Sequence, residues 1–292
     1  MTYVGRFAPS PTGSLHLGSL VAAVGSYVDA RHHGGRWLLR IEDLDTPRVI
    51  PGCADTMCRV LERFDLKWDG PVEYQSRRLP LYEDALQRLR SRHLVYPCSC
   101  SRRELALLED QSRYPGTCRE RTHHEGATAT RFRVDDRITI AFSDMFRGEC
   151  QMDLAELGDF IVCRRDHIVA YQLAVVVDDA AQDITHVVRG ADLLPATAWQ
   201  IVLQNALGLK TPRYGHLPLV TEPDGSKLSK SRRSIGLNIA EAHKEMFLAL
   251  QLLNHSPPSE LKGSNCSTLL QWAVTNWQPE RLQNFIAVHA PH

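Results

Sequence analysis

The sequence has no long apolar segment and no excess of charge of either sign. Its 292 residues include no uninterrupted run of 18 apolar residues, so no transmembrane helix is predicted. The first residues, MTYVGRFAPSPTG, place no apolar core behind a basic start, so we expect no cleaved signal and a cytoplasmic protein. The 34 basic and 34 acidic residues cancel. This balance excludes nucleic-acid binding by bulk charge and leaves contact through a local basic patch.

Lysine is also scarce. Only six of the 34 basic residues are lysines, and two of them, Lys227 and Lys230, lie together in a loop rich in small residues. The preference for arginine elsewhere indicates that this loop requires ammonium groups. Eight cysteines are present, and without an export signal we expect free or metal-bound thiols rather than disulfides.

The order of the expected elements indicates an α/β fold with a parallel sheet. Short apolar strands near residues 2–8 and 37–41 alternate with helical patterns near 15–31, 54–66 and 81–94. This pattern stops after residue 95 and resumes further along the chain. The expected segments are 1–95, the first half of the α/β domain; 96–150, an insertion; 151–236, the second half; and 237–292, a short helical C-terminal region.

Two loops rich in glycine and hydroxyl groups are candidates for phosphate binding. The segment PSPTGSLHLG, residues 9–18, reads as a tight turn followed by a helix start, where unpaired backbone N–H groups suit phosphate. His16 adds a further donor. Alone, this segment is equally a proline-rich loop capped by Ser14. The segment DGSKLSKS, residues 224–231, offers movable ammonium groups, but alone it is equally a solvated charged loop.

Together the two segments resemble the HIGH and KMSKS signatures of class I aminoacyl-tRNA synthetases. They read HLGS at residues 16–19 and KLSKS at residues 227–231, in the family's order. Ser19 stands where the signature has its second histidine, so only His16 can be the phosphate-binding imidazole. The resemblance implies a Rossmann-like catalytic fold, Mg-ATP as substrate, and His16, Lys227 and Lys230 as catalytic residues. It implies an ATP site formed by Pro9, Gly13, His16, Gly18, Lys227, Ser229 and Lys230.

Longer strings resemble the glutamyl-tRNA synthetases, and this resemblance covers residues 2–236. The strings are RFAPSPTG at 6–13, RIEDLD at 40–45, AVVVDD at 174–179 and THVVRG at 185–190. The resemblance implies a glutamate site formed by Arg6, Ser10, Glu42, Tyr171 and Arg189. The two guanidinium groups can pair with the side-chain carboxylate, and Glu42 with the α-ammonium. Without the resemblance, Glu42 is a surface carboxylate and Arg189 an ion-pair partner of Asp192.

Residues 237–292 are fewer and less charged than the helical anticodon-binding domain of that family. They contain three basic and four acidic side chains. This resembles a shortened branch of the family that activates glutamate with ATP and transfers it to queuosine at the wobble position of tRNA(Asp). The expected partners are L-glutamate, ATP and queuosine-bearing tRNA(Asp), with the protein a monomer and no membrane involved. A compact enzyme that charges a tRNA 3′ end, and a non-catalytic tRNA-binding relative, are the alternatives.

The insertion contains a possible metal site. Cys98, Cys100 and Cys118 form a C-x-C-x17-C set, and three thiolates with one further donor can hold a tetrahedral zinc ion. Buried structural cysteine is the alternative. The resemblance implies a site of three cysteines and a tyrosine, which makes Tyr114 the expected fourth ligand. His123 or His124 is the chemically more ordinary choice. We expect one structural zinc ion per chain.

Overall fold

A computed structural model describes residues 2–107, 113–221, 236–283 and 287–289. The strands are β1 Val4–Phe7, β2 Arg36–Ile41, β3 Glu73–Tyr74, β4 Val95–Cys98, β5 Ala129–Phe132, β6 Thr139–Asp144, β7 Gly148–Asp153, β8 Phe160–Cys163, β9 His186–Gly190, β10 Arg213–Leu217, β11 Leu219–Thr221 and β12 Ala287–His289. The α-helices are α1 Leu17–His32, α2 Cys53–Arg63, α3 Leu79–Ser91, α4 Arg102–Leu105, α5 Leu154–Leu157, α6 Tyr171–Ala181, α7 Leu194–Leu207, α8 Ala242–Leu252 and α9 Cys266–Thr275. Within the described ranges, no helix has the length and apolar character needed to cross a membrane.

A parallel sheet in two parts forms the centre of the molecule. In the first part, β1 and β3 pair in parallel on either side of β2. In the second part, β9 and β6 pair in parallel on either side of β10, and β7 adds to β6 as an antiparallel strand. The backbone N–H of Thr185 donates to the carbonyl of Val4 at 2.9 Å, so the two parts lie side by side. The predicted α/β fold with a parallel sheet is confirmed.

Helix α1 connects β1 to β2 and forms the centre of the main core. Its apolar side chains Leu20, Val24 and Val28 are fully buried, and each such burial contributes about 1.5–3 kcal/mol. Helices α8 and α9 pack against α1 through the same core. Trp277, which follows α9, donates its indole N–H to Asp29 of α1 at 2.8 Å. Helices α8 and α9 are therefore packed on the first half of the α/β domain. The region predicted to be helical also contains a strand, β12, which pairs in parallel with β11.

A second, antiparallel sheet has the order β4-β5-β8 and carries the cysteine cluster. Residue 150, where the insertion is expected to end, lies inside β7 of the main sheet. Strand β8, which follows β7, pairs with β5 of the antiparallel sheet. The chain leaves the main sheet after β3, returns to it at β6 and leaves it again after β7. The strands at these points are short and of ordinary composition, so the sequence does not mark where one sheet ends and the other begins. The division into four segments stays a prediction.

Candidate active site

The start of α1 orients the first candidate catalytic side chain. His16 is the N-cap of α1, and its Nδ1 accepts a hydrogen bond from the backbone N–H of Ser19 at 3.3 Å. An acceptor nitrogen carries no proton, so the neutral ring carries its proton on Nε2. A Cβ on Gly18 would lie 3.2 Å from two atoms of this ring. Glycine at position 18 therefore leaves room for the imidazole beside the helix N-terminus.

A large cavity of about 750 Å³ lies beside this helix start. It is within the size range of small-molecule and cofactor sites, roughly 300–1,000 Å³. The residues predicted for ATP binding that line it are Pro9, Gly13, His16 and Gly18. Lys227, Ser229 and Lys230 lie outside the described residues.

A smaller cavity of about 130 Å³ adjoins the first. Four of the five residues predicted for glutamate binding line it: Arg6 from β1, Glu42 after β2, Tyr171 at the start of α6, and Arg189 from β9. Ser10, the fifth, lines the larger cavity instead, because it lies in the turn that leads to α1. Phe7, Ala22 and Gly190 line both cavities. The two cavities are therefore neighbours.

Buried charges behind the smaller cavity join the two halves of the sheet. Arg40 is fully buried, and its Nη2 lies 2.8 Å from Asp179 and 3.6 Å from Glu42. Arg6 lies 3.2 Å from the same carboxylate of Asp179. Although burial raises it, the guanidinium groups of Arg6 and Arg40 hold the pKa of Asp179 below its usual range. Two arginines of the first half thus share one aspartate of the second half as an ion-pair partner.

Burial has the opposite result at Glu42. It raises the pKa of this carboxyl group to about 7, against the opposing effect of Arg40 and Arg6. Glu42 therefore changes its charge near neutral pH. A cation in the cavity, such as the α-ammonium of an amino acid, would favour the ionised form.

Asp178 anchors a further part of this network that sequence analysis did not identify. It accepts hydrogen bonds from Gln75 at 2.8 Å, from Arg78 at 2.7 Å, and from Tyr82 at 2.8 and 3.0 Å. Arg40, Asp178 and Asp179 lie within two of the strings that resemble the glutamyl-tRNA synthetases, but none was assigned a role. Two consecutive carboxylates, Asp178 and Asp179, end an apolar helical run. Because an isolated charge is costly to bury, this pattern could have indicated that the two carboxylates have buried cationic partners.

Arg189 is held from behind by uncharged groups. Its Nη1 donates to Gln200 at 2.8 Å, its Nη2 donates to Thr197 at 2.8 Å, and its Nε donates to His216 Nε2 at 3.1 Å. Two longer hydrogen bonds reach the hydroxyl of Tyr171 at 3.4 Å and the carbonyl of Leu193 at 3.3 Å. The five N–H groups of the guanidinium are accounted for by these five acceptors.

The three cysteines of the insertion form a compact cluster with Tyr114. Their sulfur atoms all lie within 4.8 Å of one another, with Cys100 and Cys118 at 3.5 Å. The hydroxyl of Tyr114 lies 3.4 Å from the sulfur of Cys98 and 3.5 Å from that of Cys100. Sulfur atoms bound tetrahedrally at about 2.3 Å from zinc are roughly 3.8 Å apart, so these four donors fit one ion.

The surroundings of the cluster favour Tyr114 over a histidine as the fourth donor. His124 interacts with Ser99 at 3.4 Å and with the carbonyl of Arg121 at 3.2 Å. Arg131 donates to the sulfur of Cys98 at 3.3 Å, and its guanidinium carbon lies 3.7 Å from the centre of the Tyr114 ring. Although burial raises it, hydrogen bonds from Tyr114 and Ser99 lower the pKa of Cys118 to about 6. A thiolate, the form that binds metal, is therefore accessible at neutral pH.

The chain is similar over most of its length to known tRNA synthetases. Residues 3–256 match the family described as tRNA synthetases class I (E and Q), catalytic domain. The chain is 50% identical over 290 residues to the glutamyl-Q tRNA(Asp) synthetase of Aromatoleum aromaticum, across 96% of this chain and 92% of that protein. It is 49% identical over 282 residues to the protein of the same name from Pseudomonas aeruginosa, across 96% of this chain and 95% of that protein.

Solved structures agree with this similarity. The glutamate-tRNA synthetase of Elizabethkingia anophelis superimposes with a TM-score of 0.82 at 24% identity, across 99% of this chain and 68% of that chain. This likeness concerns the fold, and it confirms the predicted Rossmann-like architecture of a class I synthetase. Taken with the family match and the close relatives, it identifies the chain as a member of the class I tRNA synthetases (E and Q), in the branch that contains the glutamyl-Q tRNA(Asp) synthetases.

Proposed function

We propose that this protein activates glutamate with ATP and transfers it to queuosine in the anticodon of tRNA(Asp). The observation that carries the proposal is the identity of about half of all residues, over nearly the whole chain, with proteins named glutamyl-Q tRNA(Asp) synthetase. The two adjoining cavities support it independently, because one suits a small charged molecule and the other a nucleotide.

Glutamate binds in the smaller cavity in this proposal. Arg189 takes the side-chain carboxylate, since its neighbours are uncharged and its positive charge is available to a ligand. Arg6 also lines this cavity, but its guanidinium is already engaged with Asp179. Ionised Glu42 takes the α-ammonium, and the hydroxyl of Tyr171 adds a polar contact. Ser10 contacts the ligand from the neighbouring cavity.

ATP binds in the larger cavity and reacts at its α-phosphate. An oxygen of the α-carboxylate of glutamate attacks the α-phosphorus of ATP. The bond between the α-phosphorus and the oxygen that bridges it to the β-phosphorus breaks, pyrophosphate leaves and glutamyl-adenylate remains. Pro9, Gly13, Gly18 and the N-terminus of α1 cradle the phosphates, and Nε2–H of His16 donates to a phosphate oxygen. Lys227, Ser229 and Lys230 add donors and positive charge to this site, and Mg²⁺ accompanies ATP as part of the substrate.

The second step transfers glutamate to the acceptor. A hydroxyl of the queuosine cyclopentenediol attacks the carbonyl carbon of the mixed anhydride, AMP leaves, the hydroxyl proton is released and an ester forms. The same adenylate can react with any vicinal diol that reaches it. The reaction is therefore of the same class as the charging of the ribose at a tRNA 3′ end, because both form an ester with a hydroxyl of a vicinal diol. The protein acts as a cytoplasmic monomer in this proposal.

A structural zinc ion bound to Cys98, Cys100, Tyr114 and Cys118 completes the proposal. Among the described residues, the small core around this cluster consists of little more than these side chains and Tyr96. Such a core buries too little apolar area to order the surrounding loops, and a bound metal supplies folding free energy directly.

The deciding experiment locates the transferred glutamate. Labelled glutamate and ATP are incubated with purified tRNA(Asp), with and without queuosine, and the product is digested with nuclease. We expect label on the anticodon fragment, and only with queuosine-bearing tRNA. Label that leaves with the 3′-terminal nucleotide would support 3′-end charging instead. Absence of glutamate-dependent exchange of pyrophosphate into ATP would support a non-catalytic tRNA-binding protein.

A further inference from the structure

The cavity-facing edge of Arg189 differs from its rear edge. The three shorter hydrogen bonds, to Gln200, Thr197 and His216, hold the rear of the guanidinium. Of the residues that the structure describes, the cavity lining includes the partners of the two longer bonds, Tyr171 and Leu193, but none of those three. An incoming carboxylate can therefore replace two weak hydrogen bonds while three stronger ones keep the guanidinium in place.

His216 can hold Arg189 in only one of its protonation states. An arginine N–H always donates, so Nε2 of His216 must be the unprotonated acceptor of the 3.1 Å bond. The ring proton then lies on Nδ1, which is 2.5 Å from Oδ2 of Asp144. Asp144 and His216 are both buried, with exposed fractions of 2% and 1%. Burial lowers the pKa of His216 although Asp144 raises it, so the ring is neutral at neutral pH.

Asp144 is itself fixed by the backbone at the end of β6. Its Oδ1 accepts from the N–H of Phe146 at 3.0 Å, of Arg147 at 3.1 Å and of His216 at 3.2 Å. Three donors on Oδ1 leave Oδ2 to face the imidazole. The backbone at the end of β6 therefore fixes the orientation of the Asp144 carboxylate. The carboxylate fixes the tautomer of His216, and the histidine in turn fixes the direction of the Arg189 Nε–H.

We infer that Asp144 and His216 are positioning residues that make the smaller cavity selective for a free side-chain carboxylate. This inference rests on the proposed function, in which that ligand is glutamate. A guanidinium held at its rear edge presents both Nη groups toward the cavity, and a carboxylate accepts from both. The carboxamide of glutamine has one oxygen and one NH₂ group, so its NH₂ would face an N–H of Arg189 without an acceptor.

Asp144→Asn tests this with no change in side-chain shape. The three backbone N–H groups keep the oxygen of the amide at the Oδ1 position, so its NH₂ group faces Nδ1 of His216. That donor forces the imidazole proton onto Nε2, where it opposes the Nε–H of Arg189. We expect the dissociation constant and KM for glutamate to rise about 10- to 100-fold, the loss expected for a hydrogen bond to a charged group. Discrimination against glutamine should fall, while kcat changes less.

Asp159→Asn is the matched control, because Asp159 is equally buried and accepts from Arg119 at 2.6 Å, away from the smaller cavity. Both variants should lose some stability in urea unfolding, but only Asp144→Asn should change the KM and the selectivity for glutamate. Unchanged KM and selectivity in Asp144→Asn, with turnover reduced as far as the folded fraction falls, would show a merely structural role and overturn the inference.

A second pair of variants applies if Asp144→Asn fails to fold. His216→Gln keeps an acceptor within reach of the Arg189 Nε–H, whereas His216→Met has similar length and no oxygen or nitrogen. We expect near-normal glutamate binding in the first and weakened binding in the second; equal binding in both would contradict the inference. Glutamate binding measured by calorimetry separates this question from the proposed function. Wild-type protein that binds glutamate selectively but catalyses no pyrophosphate exchange would contradict the proposed function alone.

Discussion

The smaller cavity and the cysteine cluster are both buried polar sites, but their groups are held together in opposite ways. Around the cavity, arginines of the first half form ion pairs with aspartates of the second half, as Arg6 and Arg40 do with Asp179. In the cluster, three thiols and a phenol face one another, and Arg131 is the cation in contact with them. The first site is complete as protein alone. The second brings together three thiols and a phenol, a donor set that can hold a metal ion.

The cavity is therefore a preorganised site, whereas the cysteine cluster is expected to depend on its ligand. Protein charges position the groups of the cavity before a ligand arrives, so in the proposed function glutamate does not have to order them. A metal is expected to order the groups of the cluster, which makes the fold of that region depend on metal supply. The predictions below test whether each site behaves in this way.

The largest effect is expected from Arg40→Met. This change leaves Asp178, Asp179 and Glu42 without their shared guanidinium, and breaking a buried charge network from one side costs about 3–5 kcal/mol. Urea unfolding measures the loss, with Arg137→Met as control, since Arg137 is highly exposed and pairs with Asp135 on the surface. A loss no larger than in the control would mean that the cavity is not held together by these charges.

Removal of zinc should have the next largest effect, and a local one. We expect a chelator to speed amide hydrogen exchange in β4 and β5 while the parallel sheet keeps its protection, because the cluster belongs to a separate small core. Cys118→Ser should reproduce this without chelator. Protein prepared without chelator that contains less than about a tenth of a zinc ion per chain, and is protected throughout, would count against the metal.

An intermediate effect is expected from pH on glutamate binding. Because the pKa of Glu42 is about 7, its anionic form becomes scarce below that value. The KM for glutamate should therefore rise roughly tenfold as pH falls from 8 to 6. The pKa of Glu42 is higher in the folded protein than in the unfolded chain, so the free energy of unfolding should fall as pH rises from about 4.5 to about 7.

Glu42→Gln is the variant that examines both pH effects. It should bind glutamate weakly at every pH and should lose the slope in stability, since an amide does not titrate. A wild-type KM that stays constant between pH 6 and 8 would argue that Glu42 does not contact the α-ammonium.

The smallest effect is expected from Tyr114→Phe. Removing the phenol oxygen takes away one of the four proposed ligands, but water can occupy a fourth zinc position, so zinc affinity should fall roughly tenfold and the fold should persist. His124→Ala should leave zinc affinity unchanged, because His124 is engaged with Ser99 and Arg121. The reverse order of the two variants would assign the fourth position to the histidine.

Local patterns predicted the fold, and the resemblance to glutamyl-tRNA synthetases predicted the lining of the cavities. The apolar strands and helical periodicity of the first half lie within a few residues of β1, α1 and β2, because burial imposes those periods. The residues that hold the cavity together could not be found in this way. Arg40 and Asp179 are 139 residues apart in the chain, and His216 and Asp144 are 72 residues apart. Contacts of this range leave no periodic signal in one sequence.

Phe7, Ala22 and Gly190 line both cavities, and in the proposed function this has a consequence for the fate of the reaction intermediate. A molecule made by joining glutamate to AMP spans both cavities, and to escape it must be released at both ends at once. When one end of the linked molecule dissociates, the bound end keeps it at a high local concentration near its own site, and it rebinds. An activated anhydride that water would hydrolyse in solution is thereby retained until a hydroxyl acceptor arrives. The contiguity of the two cavities would thus protect the product of an ATP-consuming step from hydrolysis.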